Sequence, residues 1–146
     1  MKAIIQRVLQ ADVKINDIAT GSIDKGLLVL LGIQHGDSDI QINKMIKKII
    51  NLRVFNDNED KMNLSVSDIS GDLLIVSNFT ICGNTQKGNR PSYMEAEKPE
   101  VAKSIYNDFL FALKSTYPHK VNEGKFQEDM KVSITNDGPV TLIIEV

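Results

Sequence analysis

Apolar and polar residues alternate along the first part of the chain, from Ala3 to Ile15. The odd positions are mostly apolar and the even positions mostly polar, which is the period of a β-strand with one buried face. Arg7 falls among the apolar positions, and a buried guanidinium group is costly unless its N–H groups are hydrogen-bonded. We therefore expect Arg7 to have a specific partner inside the fold, with an ordinary buried ion pair as the alternative interpretation.

Further apolar segments predict the other strands of a sheet. The segment Gly26–Ile33 is apolar almost throughout, which indicates a strand buried on both faces, and Gly21 and Gly26 are expected to mark turns. The remaining strand candidates are Leu52–Phe55, Leu73–Ile81, Met130–Thr135 and Val140–Val146. The last two are expected to form a strand pair around the Gly-Pro sequence between them.

Two segments have the residue spacing of a helix with one apolar face. The first follows the capping residues Asp37-Ser38-Asp39, and its inward positions are Ile42, Met45, Ile46, Ile49 and Ile50. The second begins near Pro99, a favoured first helical position, ends by Pro118, and turns Ala102, Ile105, Tyr106, Phe109 and Leu113 inward. Together the elements predict one α+β domain over residues 1–146, with a mostly antiparallel, barrel-like β-sheet covered by two main helices.

The segment Asn136-Asp137-Gly138-Pro139-Val140-Thr141 places Gly-Pro directly before the terminal strand. Glycine tolerates backbone conformations that other residues resist, and a proline nitrogen makes the cis peptide bond far less costly. Pro139 has no N–H, so it is not expected inside a central strand ladder. A tight corner here would direct backbone carbonyl groups outward, where a ligand can bind without any side chain. The sequence does not fix the cis or trans state of the Gly138–Pro139 bond.

A second informative segment, Ser77-Asn78-Phe79-Thr80-Ile81, lies where an apolar run gives way to the loop Gly83–Ser92. Ser77 and Thr80 carry its only hydroxyl groups, and a nucleophilic hydroxyl normally requires a nearby base, which the sequence does not show. Three interpretations stay open. The hydroxyl groups form hydrogen bonds at a strand end, Thr80 attacks directly, or the backbone N–H groups of Phe79 and Thr80 stabilise an oxyanion.

Composition and charge narrow the class of protein. The formal net charge of -2 argues against a general nucleic-acid coating protein, so any RNA contact is expected to be local. Candidate cations are Lys44, Lys47, Lys48, Lys87 and Arg90, with solvated polar surface as the alternative. No segment approaches the roughly 20 apolar residues of a membrane-spanning helix, and no membrane association is expected.

Candidate residues for metal binding or covalent catalysis are few. The single cysteine, Cys82, cannot form an internal disulfide, and a cytoplasmic location is the natural interpretation. His35 and His119 are not spaced with other ligands as in a metal site or a catalytic triad. We expect neither a metal ion nor another cofactor.

The two motif segments resemble those of the D-aminoacyl-tRNA deacylases, a family of homodimeric hydrolases that proofread tRNA. The family's S-Q-F-T-L corresponds to Ser77–Ile81, and its N-x-G-P-V-T corresponds to Asn136–Thr141. Asn78 departs from the family's usual glutamine, which leaves its detailed role open. Three further segments are similar: Ile5–Val8, Gly88–Tyr93, and the run from Gly124 through Ser133. The likeness extends from Met1 to Val146.

This resemblance implies hydrolysis of the ester bond of D-aminoacyl-tRNA, and also of glycyl-tRNA, which has no side chain to exclude. Water attacks, assisted by the substrate 2′-hydroxyl and by backbone N–H groups, without a covalent enzyme intermediate. The resemblance implies catalytic positions at Ser77, Asn78, Phe79 and Thr80, and substrate-binding positions at Gly138, Pro139, Arg7, Asn136 and Met130. It also implies a homodimer in which the Gly138–Pro139 corner, with a cis bond, enters the partner's pocket and accepts hydrogen bonds from the substrate ammonium group.

Two alternatives compete with this expectation. A trans Gly138–Pro139 bond would enlarge the pocket and admit certain L-aminoacyl-tRNAs. An inert module that binds RNA ends or DNA would depend on lysine and arginine contacts and not on Thr80. Few aromatic residues are available as stacking platforms, which disfavours the second alternative.

Overall fold

A computed structural model of residues 1–146 contains eight strands, two α-helices and one short 3₁₀ helix. In chain order these are β1 (Lys2–Ile15), β2 (Ile18–Ile23), β3 (Gly26–Gly32), α1 (Asp39–Asn51), β4 (Phe55–Asn56), β5 (Met62–Leu64), β6 (Asp72–Ser77), the 3₁₀ helix (Phe79–Cys82), α2 (Pro99–Thr116), β7 (Val121–Glu123) and β8 (Lys131–Glu145). Neither α-helix is long and apolar enough to cross a membrane.

Strand β1 organises the main sheet because it pairs with three other strands. Its first half is antiparallel to β3 and its second half to β2, while β8 runs antiparallel along its opposite edge. The order across the sheet is β2-β1-β3-β6-β7, with β8 joined to β1. Strand β8 pairs with no other strand, so its outer edge is unpaired in this chain.

The predicted α+β class, with a barrel-like sheet and two helices, is confirmed, although the sheet is mixed. Strands β3 and β6 are parallel, and so are β6 and β7. Parallel neighbours require a long crossover connection, and α1 and α2 lie in these two connections. The two helices are therefore consequences of the parallel pairing as well as covers for the sheet.

The barrel is nearly closed where its edge strands β2 and β7 meet. The side-chain Nδ2 of Asn122 on β7 donates a hydrogen bond to the Ser22 carbonyl on β2 at 2.6 Å. Gly21 lies within β2 and not in a turn, so that expectation was wrong. A Cβ at Gly21 would lie 3.0 Å from the Glu123 carbonyl oxygen, which shows how closely the two edges approach.

Both predicted helices are confirmed, and their ends follow from local sequence. Ser38 caps α1, and Gln41 completes a capping box with it. Pro99 begins α2, which ends two residues before Pro118. Their inward residues pack on one face of β3 and β6, and a second, smaller apolar cluster lies on the other face. Strand β3 is thus buried on both faces, as its composition predicted.

Three predicted strand boundaries were wrong. Strand β6 ends at Ser77 instead of Ile81, because the chain turns into the 3₁₀ helix. The segment Leu52–Phe55 contributes only Phe55, in a short hairpin between β4 and β5. The two segments around Gly138–Pro139 form one continuous strand, β8, and not a separate strand pair.

Candidate functional site

The end of strand β6 is shaped by the side chain of Asn78. Its Oδ1 accepts hydrogen bonds from the Thr80 backbone N–H at 3.1 Å and from the Thr80 hydroxyl at 2.5 Å. The Asn78 N–H donates to the Leu31 carbonyl at 2.8 Å, which holds this turn against β3. Asn78 is therefore the cap of the 3₁₀ helix, and Thr80 is oriented by it through two donors.

Phe79 stands out from this turn with 58% of its surface exposed. Its ring packs edge-to-face on Tyr93, with the ring centroids 5.2 Å apart. Tyr93 also lies close to Gly83, where a Cβ would be 2.8 Å from the tyrosine ring. These contacts hold the end of the loop Gly83–Ser92 over the 3₁₀ helix. Lys87 and Arg90 lie in that loop and are exposed.

A pocket of about 340 Å³ opens beside the end of β6. It is mostly apolar, and its lining residues are Gln6, Leu28, Leu30, Val76, Ser77, Asn78, Met130, Val132 and Ile134. Three of the predicted site residues, Ser77, Asn78 and Met130, are brought together here. Gln6 was not among the predicted site residues. Its side chain faces away from that of Arg7, because neighbouring residues of a strand point to opposite faces. Its position inside the Ile5–Val8 segment, which resembles the family sequence, was the one feature that could have indicated a role for Gln6.

The Gly138–Pro139 corner is a bulge in strand β8, opposite Arg7. Val8 pairs with Asn136 and Gln6 pairs with Thr141, so one residue of β1 faces the four residues 137–140 of β8. The Asn136 side chain spans the bulge, since its Oδ1 accepts a hydrogen bond from the Val140 N–H at 3.1 Å. Pro139 consequently lies outside the ladder, as a residue without an N–H must.

Arg7 is the residue that holds this bulge from inside. It is only 8% exposed, and its Nη1 donates to the Val54 carbonyl at 2.6 Å. Its Nε lies 3.1 Å from both the Asp137 carbonyl and the Asp137 carboxylate. The structure therefore gives Arg7 both hydrogen bonds to backbone carbonyls and an ion pair. It ties Asp137, immediately before Gly138, to the segment that follows α1.

The backbone at the corner is exposed and unusual. Gly138 has a φ of +119°, in the region that disfavours residues with a Cβ, and the Gly138–Pro139 peptide bond is cis. A Cβ on Gly138 would lie 3.0 Å from Arg7 Nη2. Gly138 and Pro139 are both exposed, and neither lines the pocket beside β6 in its own chain. The predicted site residues thus form two separate groups in this chain.

The remaining reactive side chains lie outside both groups. His35 Nδ1 lies 3.1 Å from the Glu97 carboxylate, whose pKa is lowered chiefly by the hydrogen bond it accepts from the Lys98 N–H and further by His35. His119 packs against Tyr117, and burial raises the pKa of the Cys82 thiol. No three His, Cys, Asp or Glu residues are grouped in a way that could hold a metal ion.

The sequence of this chain matches a known protein family. Residues 4–145 match the family model described as D-Tyr-tRNA(Tyr) deacylase. The chain is 50% identical over 145 residues to D-aminoacyl-tRNA deacylase of Petrotoga mobilis, covering 99% of this chain and 97% of the relative. It is 51% identical, with the same coverage, to D-aminoacyl-tRNA deacylase of Flavobacterium psychrophilum.

Two solved structures share the fold. One is a c-Myc DNA Unwinding Element Binding Protein, with a TM-score of 0.95 and 42% identity, covering 100% of this chain and 99% of that one. The other is a probable eukaryotic D-amino acid tRNA deacylase, with a TM-score of 0.84, 14% identity and coverage of 99% and 98%. The second likeness concerns the fold alone.

Proposed function

This chain belongs to the D-Tyr-tRNA(Tyr) deacylase family, enzymes that hydrolyse the ester bond of D-aminoacyl-tRNA, and from that premise we propose how it selects its substrate. The observation that carries the proposal is the exposed Gly138–Pro139 corner, held by Arg7 through Asp137. A backbone corner fixed from inside presents carbonyl groups at defined positions while offering no long side chain to the ligand.

The carbonyl groups of Gly138 and Pro139 accept hydrogen bonds from the ammonium group of the substrate. With that group and the ester both fixed, the chirality of the α-carbon alone decides where the side chain points. A D-residue directs it toward open space, and an L-residue directs it into the backbone wall. Rejection by collision acts against all L side chains and tolerates many D side chains. Glycine has no side chain that could collide with the backbone wall, so glycyl-tRNA is also hydrolysed.

Water attacks the ester carbonyl in this mechanism, and no covalent intermediate forms. The Thr80 hydroxyl donates to the Asn78 amide oxygen, which is too weak a base to activate a nucleophile. Because Asn78 also engages the Thr80 N–H, the Phe79 N–H is the donor that remains for the oxyanion in this conformation. The adjacent 2′-hydroxyl of the terminal adenosine orients the attacking water.

A homodimer completes the site. The Gly138–Pro139 corner does not line its own protomer's pocket, and a second copy supplies it to the pocket beside β6. The unpaired outer edge of β8 supports association, since unpaired edges with exposed apolar side chains favour pairing with another chain. Val132, Ile134, Leu142 and Ile143 on β8 are all exposed. An enzyme that acts on aminoacyl-tRNA works at the site of translation, so the cytoplasm stays our prediction for its location.

A second candidate function is nucleic-acid binding without hydrolysis. It is favoured by the name of the structural relative at 42% identity, a DNA unwinding element binding protein. That function depends on exposed cations and not on the Gly138–Pro139 corner, so the two candidates respond differently to changes at the corner.

The deciding experiment is deacylation of D-tyrosyl-tRNA, L-tyrosyl-tRNA and glycyl-tRNA by the purified protein, with a chelator present. We expect rapid loss of the D-ester, slower loss of the glycyl ester and retention of the L-ester. Cleavage of both tyrosyl esters would keep the hydrolase and overturn the backbone selection. Cleavage of none would favour the binding function. Sedimentation of the wild type against Ile134→Lys tests the dimer, which the charged side chain should weaken.

A further inference from the structure

A basic groove runs along the exposed face of α1, away from the pocket beside β6. It encloses about 600 Å³, and its lining residues are Lys44, Lys47, Lys48, Asn51, Leu52, Arg53 and Val146. All four cationic side chains are exposed. None of them belongs to any of the eight ion pairs in the structure. The groove therefore carries positive charge that the fold itself leaves without a salt-bridge partner.

The stability of helix α1 does not explain why these cationic residues are present. Lys44 and Lys48 are one turn apart, and like charges at that spacing destabilise a helix by a few tenths of a kcal/mol. Lys48 lies in the last turn, where the helix dipole favours a cation, but Lys44 lies near the middle. Val146 also lines the groove, and its main-chain oxygen accepts a hydrogen bond from the Met1 ammonium group at 3.1 Å. Arg53 forms no ion pair with Asp68, and the pKa of Asp68 is lowered chiefly by its hydrogen bonds with Ser65 and less by the charge of Arg53.

We propose that this groove binds backbone phosphates in the acceptor stem of the tRNA substrate, a role that rests on the proposed function. The chain has a net charge of -2, so a polyanion is attracted only where cations are concentrated. From Lys44 to Asn51 the helix rises about 10 Å, which is long enough to follow successive phosphates of one strand. A row of lysines without aromatic neighbours suits phosphate contacts and not base stacking.

The location of the groove agrees with an RNA that reaches the proposed corner. Arg53, at one end of the groove, directly precedes Val54, whose carbonyl accepts a hydrogen bond from Arg7. Arg7 in turn holds Asp137 beside Gly138. A tRNA whose 3′ end meets the Gly138–Pro139 corner therefore has this cationic surface next to its acceptor stem. The groove adds affinity for the RNA, while the corner selects the amino acid.

The test compares Lys44→Gln/Lys48→Gln with a matched control, Lys25→Gln/Lys103→Gln, which removes two exposed lysines outside the groove. For D-tyrosyl-tRNA, the groove variant should raise KM on the order of tenfold and reduce the slope of log KM against log salt by about 1.5. We expect kcat to be unchanged and the control variant to match the wild type. Hydrolysis of 3′-O-(D-tyrosyl)adenosine, which has no phosphate, should be the same for all three proteins.

Each other outcome has a definite meaning. An unchanged KM for D-tyrosyl-tRNA overturns the proposal, as does an equal loss on the adenosine ester, which would place the effect in the pocket. Lower affinity for a DNA hairpin with an unchanged KM for the tRNA overturns the assignment to RNA. If the wild type cleaves no ester, the proposed function fails separately. Anisotropy with uncharged tRNA then still tests the groove, and selective weakening in the groove variant supports it.

Discussion

Thr80 makes two hydrogen bonds to a single atom, the Oδ1 of Asn78. The backbone N–H and the hydroxyl of Thr80 both point back toward the strand end instead of into open space. In the deacylase motif, this threonine is therefore a residue whose position is set by its neighbour. The sequence left open whether the Thr80 hydroxyl is a hydrogen-bond donor at the strand end or a nucleophile. A nucleophilic hydroxyl requires a base as its partner, whereas the Thr80 hydroxyl donates to an amide oxygen.

We predict that Thr80→Val lowers kcat by less than about tenfold, because the hydroxyl donates to Asn78 and is not the nucleophile. Asn78→Ala should be more harmful, since it releases both donors, and should also lower the free energy of unfolding by about 1 kcal/mol through loss of the cap. Single-turnover deacylation and urea unfolding measure the two effects. A loss on the order of a thousandfold in Thr80→Val would instead indicate direct attack by Thr80.

A second prediction concerns Arg7, because it contacts both the buried Val54 carbonyl and Asp137, beside the corner that we propose selects the substrate. Arg7→Met should lower the free energy of unfolding by about 2 kcal/mol, since the buried Val54 carbonyl loses its donor. The ratio of D- to L-tyrosyl-tRNA hydrolysis should fall as well, because Asp137 is no longer held. Arg7→Lys keeps the charge without the fork of donors and should recover only part of either quantity.

The matched control for Arg7 is Asp137→Asn, which weakens the ion pair but keeps the Asp137 carbonyl. The Asp137 side chain is 33% exposed, so its charge should contribute less than about 1 kcal/mol. Equal loss of selectivity in Arg7→Met and Asp137→Asn would mean that the charge, and not the backbone hydrogen bond, positions the corner.

Gly138→Ala tests the corner itself. The φ of +119° disfavours any Cβ, and the new methyl group would meet Arg7 Nη2 at 3.0 Å, so we expect a cost of about 2 kcal/mol in stability. Gly36→Ala is the control, because Gly36 has a φ of +84° with no atom near the site of the added Cβ. Activity should fall sharply only in Gly138→Ala. Full activity there would show that the corner does not bind substrate.

Stability at high pH should report on Tyr117. Its hydroxyl donates to the Gly71 carbonyl at 2.5 Å, and burial raises its pKa to about 12. Between pH 10 and about pH 12 the unfolded chain releases this proton while the folded chain retains it, so stability falls as pH rises through that interval. Tyr117→Phe should be less stable at pH 7 by about 1 kcal/mol. Its urea midpoint should fall less steeply than that of the wild type above pH 10.

Local sequence rules located the helices well and the strand partners poorly. Ser38 and Pro99 marked helix starts because capping and proline geometry depend on adjacent residues. The parallel pairing of β3 with β6 has no such local signal, since a strand buried on both faces shows only that it has neighbours. The inward Arg7 was visible from alternation, but its partner Val54 lies far along the chain, and no short-range pattern specifies it.

At the candidate site, the sequence identified positions better than their arrangement. Asparagine is a common helix cap, so the residue type of Asn78 is consistent with the turn that follows β6. The division between the pocket residues and the Gly138–Pro139 corner depends on a bulge in which one residue faces four. Such a bulge is set by pairing across the sheet, so only the folded chain reveals it.

The meeting of β2 and β7 has a consequence for motion. These strands are joined by one side-chain hydrogen bond, from Asn122 to Ser22, and by the close approach at Gly21, without a ladder between them. Separating β2 from β7 breaks few hydrogen bonds, whereas separating β1 from β3 breaks a full ladder. Strands β2 and β7 are each hydrogen-bonded along one edge only, to β1 and β6, whereas β3 is paired on both edges. Their amide protons should therefore exchange with deuterium by local opening before those of β3. The barrel can loosen along one seam while its core remains folded.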